Sequence, residues 1–206
     1  MAEMFTNKFG IKEVADVAFY NVGDVTVDEQ GVITATKEPV LTFDTLKVST
    51  LEMTAEQTEA RGGKGNAPLI IWDYGREVNV TLEDALMSVD CLKKMFGNDE
   101  ANNNVITINA GKFPATYSVV GITYARDDKG TDHLFTFYIP KAKIQSENTI
   151  TMEAEGDPTV FNMSLRVLRG EGGDMVKFIL NENPDVGTTP ELKFPEVKTS
   201  SEPEAE

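Results

Sequence analysis

With 206 residues the chain is sized for one domain plus an arm or tail. Its 34 acidic against 19 basic side chains, a net charge of −15, offer no clustered positive charge for gripping nucleic acid. One histidine, His133, and one cysteine, Cys91, exclude an intramolecular disulfide and a Cys/His zinc set and fit a reducing cytoplasm. No stretch reaches the ~18 apolar residues of a membrane span and no export signal is recognisable, so a soluble protein without a membrane partner is expected.

Short runs rich in Val, Ile, Thr, Phe and Tyr, separated by turn residues, predict a mainly β chain. Near the amino end, DEQG at residues 28–31 is expected to turn a small hairpin between residues 25–27 and 32–34. A long strand is expected over residues 40–54. Within it Leu41, Phe43 and Leu51 fall on one face, and Leu46 and Val48 on the other. A strand apolar on both faces is either sandwiched in its own domain or meets another subunit, and periodicity does not separate the two. Residues 55–68, AEQTEARGGKGNAP, carry three glycines and mixed charges without periodicity, which predicts a loop or mobile arm. Strands are expected at residues 69–73 and 77–80.

The next segment, TLEDALMSVDCLKKMFG, predicts a helix over residues 82–96. Leu82, Ala85, Leu86, Val89, Leu92 and Phe96 recur at the spacing of one helical face, Thr81 is the expected cap, and Gly97 the stop. Strands are then expected at residues 105–109, 115–125, 134–144, 149–153, 160–168 and 175–180. ARDDKGTDH, around Asp127 to Gly130, and LRGEGGDM, around Gly170 to Gly173, are expected to turn hairpins between neighbouring antiparallel strands. From Asn183 onward Pro184, Pro190, Pro195 and Pro203 stand among acidic residues, which predicts a solvated, disordered tail over residues 183–206. The whole reads as an antiparallel β-sandwich or rolled sheet over residues 1–182 with one flanking α-helix.

Little in the chain points to chemistry. RGGKGN, residues 61–66, lacks the Ser or Thr and the following helix of a phosphate cradle, so it reads as a loop or as an arm that orders against a neighbouring subunit. Arg61, Gly62, Gly63, Lys64 and Gly65 are the candidate assembly loop. DDKGTDH lacks the twelve-position ligand set of a calcium loop. His133 has no nucleophile motif to serve and reads as a strand residue, and Cys91 lies within the expected helix. Trp72 and Tyr74 could form a sugar-stacking platform, although a core or interface role fits an alternating strand better. No catalytic residue, cofactor or metal is expected.

Residues 41–97 run as strand LTFDTLKVSTLEMT, charged glycine-rich loop EARGGKGN, strand pair LIIWDYGREVNVTL and helix LEDALMSVDCLKKMFG. This order resembles the major tail proteins, or tail tube proteins, of long-tailed bacteriophages. The wording is most similar over residues 60–87, ARGGKGNAPLIIWDYGREVNVTLEDALM, and the strand-rich remainder over residues 105–180 fits the same architecture. The resemblance implies a non-enzymatic virion protein, made in the host bacterial cytoplasm, whose β-sandwich subunits form rings, commonly hexameric. These would stack into the hollow tail tube with arms reaching the adjacent ring. The implied partners are further copies of itself, the tape measure protein, tail-tip or baseplate and tail terminator proteins, and a sheath protein if the tail contracts. Double-stranded DNA would pass the lumen without tight binding. A capsid decoration protein is the alternative of similar build, and a carbohydrate-binding module the alternative from another class.

Overall fold

The computed structural model describes residues 8–13, 15–86, 88–98, 105–146, 161–181 and 189–197. Among them the strands are β1 (Phe9–Ile11), β2 (Asp16–Asn21), β3 (Val25–Val27), β4 (Ile33–Ala35), β5 (Leu41–Phe43), β6 (Leu46–Gly62) and β7 (Ala67–Asp84). One helix, α1 (Val89–Met95), precedes β8 (Thr116–Asp127), β9 (Asp132–Ile144), β10 (Phe161–Val167) and β11 (Lys177–Asn181). Nine strands make one antiparallel sheet in the order β5-β2-β8-β9-β10-β7-β6, with β1 pairing β8 and β11 pairing β9. The small β3–β4 hairpin falls where DEQG predicts it, with Val27 opposite Ile33.

The sheet rolls so that its two ends share one core. Val80 and Leu82 of β7 belong to the same buried cluster as Phe19 of β2 and Phe43 of β5, although β7 and β2 are four places apart in the sheet. Phe19 meets Phe43 and Tyr117 edge to face, at centroid distances of 5.5 and 6.0 Å. Strict alternation along β2 then fills a second layer: Val17 and Phe19 point into the roll, while Ala18 and Tyr20 point to the other side. There β3 and β4 cover them through Val25 and Ala35, and Tyr138 donates a 2.9 Å hydrogen bond to the carbonyl of Val25. The strand is buried on both faces within its own subunit.

Gly121 of β8 pairs with Phe137 of β9, and the Phe137 ring lies across it: a Cβ there would stand 2.1 Å from ring carbons. Gly121→Ala therefore forces the buried ring out of place. It should cost about 1–3 kcal/mol of stability, the usual range for overpacking a core, and lower the melting temperature; an unchanged melt would contradict this packing.

Four expectations are corrected. The helix is not residues 82–96 but Val89–Met95, because β7 runs on through Asp84. Leu82 lies opposite Met163 on one side and Ser49 on the other, so its burial is that of a strand residue. The cap is Ser88, whose Oγ accepts from the Cys91 N–H at 3.1 Å, and Cys91 and Met95 make the buried stripe; Thr81 is a strand residue, and Leu86 is 70 % exposed. Gly97 does stop the helix, at φ 64°. Residues 105–109 form no strand. LRGEGGDM does not turn a hairpin, since β10 and β11 both run antiparallel to β9 and the segment between them is an excursion along one edge. In the carboxyl segment, residues 189–197 differ from a solvated tail: Leu192 and Phe194 pack on the second layer, and Val197 bridges to Ala35. The expected strand at residues 149–153 lies outside the described residues.

The β8–β9 hairpin turns where Asp127 to Gly130 predict it. Asp127 accepts from the N–H groups of Lys129 and Thr131 at 3.0 and 2.7 Å, and Gly130 takes φ 86°. Beside it the buried Asp132 carboxylate accepts from Arg126 Nε and a terminal guanidinium nitrogen at 2.7 and 2.9 Å, with Lys12 Nζ at 3.6 Å. The Arg126 hydrogen bonds hold its pKa down to about 2. A carboxyl depressed in the fold stabilises it fully above the unfolded value near ~4 and loses that contribution as pH falls toward 2. Asp132→Asn should lower stability at neutral pH and flatten the acid limb between those values, as acid titrations followed by circular dichroism would show.

Candidate assembly surface

Sequence reasoning places a loop at residues 55–68; the structure places the far half of a hairpin there. β6 and β7 pair from Leu46 opposite Asp84 out to Gly62 opposite Ala67, so the loop shrinks to a turn at residues 63–66. Asn66 N–H donates to the Gly63 carbonyl at 3.2 Å, and Gly63, Gly65 and Asn66 all take positive φ, at 75°, 92° and 50°. That explains the glycines without a ligand, because a reversal of this kind needs left-handed residues that side chains beyond Asn and Gly resist.

The candidate loop residues Arg61 to Gly65 thus sit together at the tip of a projecting arm. Arg61 Nε donates to Glu59 at 2.7 Å, an ion pair made within the arm, and Lys64 is exposed on the turn. Gln57 donates to Asp73 across the hairpin at 2.8 Å. The arm begins where the roll ends. Met53 opposite Val78 and Leu51 opposite Val80 belong to the base, and beyond Thr54 every residue of both strands is exposed except Ala60 and Gly62.

A bulge separates arm from base. Thr54 lies opposite Glu77 and Glu56 opposite Tyr74, so Ala55 faces two residues, Gly75 and Arg76, and Gly75 takes φ 62°. The extra residue reverses which face the later side chains of β7 occupy. Val78, Val80 and Leu82 point into the roll, whereas Ile70, Trp72 and Tyr74 share the opposite face with Ala60, Thr58 and Glu56. Each of the three is about half exposed, at 52, 51 and 52 %. The other face carries Leu69 and Ile71 among Gln57, Glu59 and Asp73. One face of the arm is therefore apolar and aromatic, and neither touches the core. The outer edge of β6 pairs with no other strand among the described residues, leaving a row of backbone donors and acceptors open.

The residues weighed for other chemistry are accounted for locally. His133 lies in β9, buried, with Nε2 3.4 Å from Asp127. Cys91 is buried, and burial pushes its thiol up to about 12, so it keeps its proton at neutral pH. Trp72 and Tyr74 are not in a core, as the alternation of their strand suggested they could be; the bulge and the departing arm put them in solvent. The arm is a paired hairpin rather than a loop, and the sequence signal for it was the strand-forming run LIIWDYG facing the Thr, Glu and Gln residues of positions 56–59.

The YomU/Tube protein family model matches residues 9–99 and 94–178, together spanning residues 9–178. No curated protein matches the chain. Among solved structures, one similar chain is found in an extracellular contractile injection system, the PVC sheath–tube complex in its extended state, at 12 % identity and a TM-score of 0.44, covering 86 % of this chain and 92 % of that one. Another is found in the six-fold symmetrised baseplate of the anti-feeding prophage, at 12 % identity and a TM-score of 0.41, covering 82 % and 95 %.

Proposed function

The chain belongs to the YomU/Tube protein family and is a tail tube structural protein, and from that premise we propose that its subunits join into closed hexameric rings that stack into a hollow tube for genome delivery. The observation that carries this reading is the edge of β6, 17 residues long, unpaired among the described residues and running out along an arm with exposed apolar side chains. An edge of that length left in water invites uncontrolled pairing, and ring closure removes it by making each edge the neighbour's partner. Residues Arg61 to Gly65 at the arm tip are then contacts between subunits. The tape measure protein, tail-tip or baseplate, terminator and, in a contractile tail, sheath proteins are the further partners of such a tube in the virion tail. Family membership suggests a structural rather than an enzymatic role.

Negative-stain microscopy of the purified protein at high concentration tests this reading. Rings or tubes are expected, formed slowly without an initiating tip complex; a strictly monomeric protein at millimolar concentration, with tail-tip partners added, overturns it. The excess of acidic charge suits a wall along which a duplex slides, because each basic contact to phosphate would hold it through counterion release. Assembled tubes should show no salt-sensitive affinity for double-stranded DNA; tight binding would contradict the conduit. Trp72 and Tyr74 share a face with Thr58 and Glu56, as a sugar platform would need, but Ile70 and Ala60 continue that face as an apolar strip. A sugar-binding module would remain monomeric in the same micrographs.

A further inference from the structure

Besides the arm, a second apolar surface stands open among the described residues. The inner face of the roll continues past the core at the β1, β8, β9 and β11 end, where Phe135 stacks on Phe178 at a centroid distance of 5.7 Å and meets Phe9 with tilted rings at 5.9 Å. Because β6 and β7 leave as the arm, no strand among the described residues covers this end. What remains is a groove of about 550 Å³ between these aromatics and the base of β6, with Ile11, Val48 and Leu51 in its walls and Lys12 and Lys47 on it. Phe178, Ile11 and Val48 are 53, 60 and 40 % exposed.

We propose that this groove receives the apolar arm face of a second copy of the same chain, with Ile70, Trp72 and Tyr74 seated against Phe135 and Phe178. The proposal rests on the tube reading and names the receptor for its arm. One charge pair agrees: the arm face carries Glu56 and the groove carries Lys47, whereas the groove's Lys12 is already paired with Glu13 at 3.5 Å. Size agrees as well. Two aromatic side chains bury about 150–250 Å² each, and with Ile70 and the matching wall the contact approaches the ~1,000 Å² of a specific interface.

The occupant is a second copy because the subunit's own arm does not reach. From Leu51 in the groove wall to Ala60 the hairpin extends about 30 Å at ~3.3 Å per residue, and the bulge at Gly75 turns Trp72 to the face opposite Val80. Arm and groove are therefore far apart on one subunit and complementary between two, which is a heterologous contact. Between stacked rings it propagates in one direction and leaves free arms at one end of the tube and empty grooves at the other; within a closed ring it leaves neither.

Trp72 is the chain's single tryptophan, so tryptophan fluorescence reads the surroundings of the arm face. In full-length wild type the emission should shift to the blue as assembly proceeds. Phe178→Asp, at an exposed position that leaves the arm untouched, should abolish that shift at concentrations tenfold above the wild-type midpoint while its circular dichroism stays native. Ile11→Asp, on another wall, should do the same and serves if Phe178→Asp misfolds. Phe178→Asp and Ile11→Asp proteins that assemble with the wild-type shift overturn the groove and leave the tube reading standing. Wild-type tubes without a change at Trp72 do likewise. A wild type that never assembles overturns the tube reading and this inference with it.

Discussion

Leu82→Asp is expected to abolish soluble folding, and Leu86→Asp to leave it intact. Leu82 is 1 % exposed in the rolled core, opposite Met163 and Ser49, and a carboxylate placed there finds no partner. Burying an unpaired charge or neutralising it, together with the lost apolar contacts, costs upward of ~4 kcal/mol, a large part of the ~5–15 kcal/mol a domain of this size has. Leu86 stands in the link between β7 and α1, 70 % exposed, where a polar residue costs a few tenths of a kcal/mol at most. Soluble yield and thermal melts of the two variants check this. Equal tolerance, or the reverse order, would show that residues 81–86 are helical after all.

Excising the arm should separate folding from assembly. Thr54 and Glu77 lie directly opposite one another, so replacing residues 55–76 by Asn-Gly closes the hairpin with a two-residue turn whose twist suits the flanking strands. The removed residues contribute almost nothing to the core, so the melting temperature should move by only a few degrees, about what ~1 kcal/mol produces in a domain of this size. Assembly should be lost, because the apolar face of Ile70, Trp72 and Tyr74 and most of the open β6 edge go with the arm. Analytical ultracentrifugation at the concentration where wild type forms rings or tubes reads the outcome. Undiminished assembly would remove the arm from the proposed function, whereas a melt lowered by tens of degrees would make it part of the fold.

Both variants turn on the stretch where local pattern and final structure part. TLEDALMSVDCLKKMFG satisfies a helical period from Leu82 to Phe96, and it also continues the period-two run of Val78, Val80 and Leu82. For an overlap of this kind the deciding quantity is which neighbours are present. β10 and β6 flank residues 79–84 and supply a backbone partner on each side, which a lone helical turn at the end of a strand does not match. Only after Asp84, where pairing stops, does Ser88 cap a helix. Residues 55–68 fail for a related reason. Their mixed charges and glycines deny them a core, and loops usually lack cores, but a hairpin paired only with itself lacks one too.

By itself the sequence determined that the chain is antiparallel and β-dominated, because period-two runs with Gly, Asp and Asn turns at Asp28–Gly31 and Asp127–Gly130 are local properties that survive in any context. It also determined that the subunit has no cysteine or histidine framework, and its wording over residues 60–87 pointed to the tube family. The tertiary structure alone decided which faces are covered. The two-sided apolar character of residues 41–51 was open between an inner layer and a subunit contact, and rolling of the sheet divided it: Leu41 and Phe43 went to the core, while Val48 and Leu51 went to the wall of an open groove. The face of Trp72 depended on a single extra residue at Gly75, and LRGEGGDM became an excursion because both flanking strands found the same partner, β9. Register and closure are set by contacts between residues distant in sequence, and a local period carries no record of them.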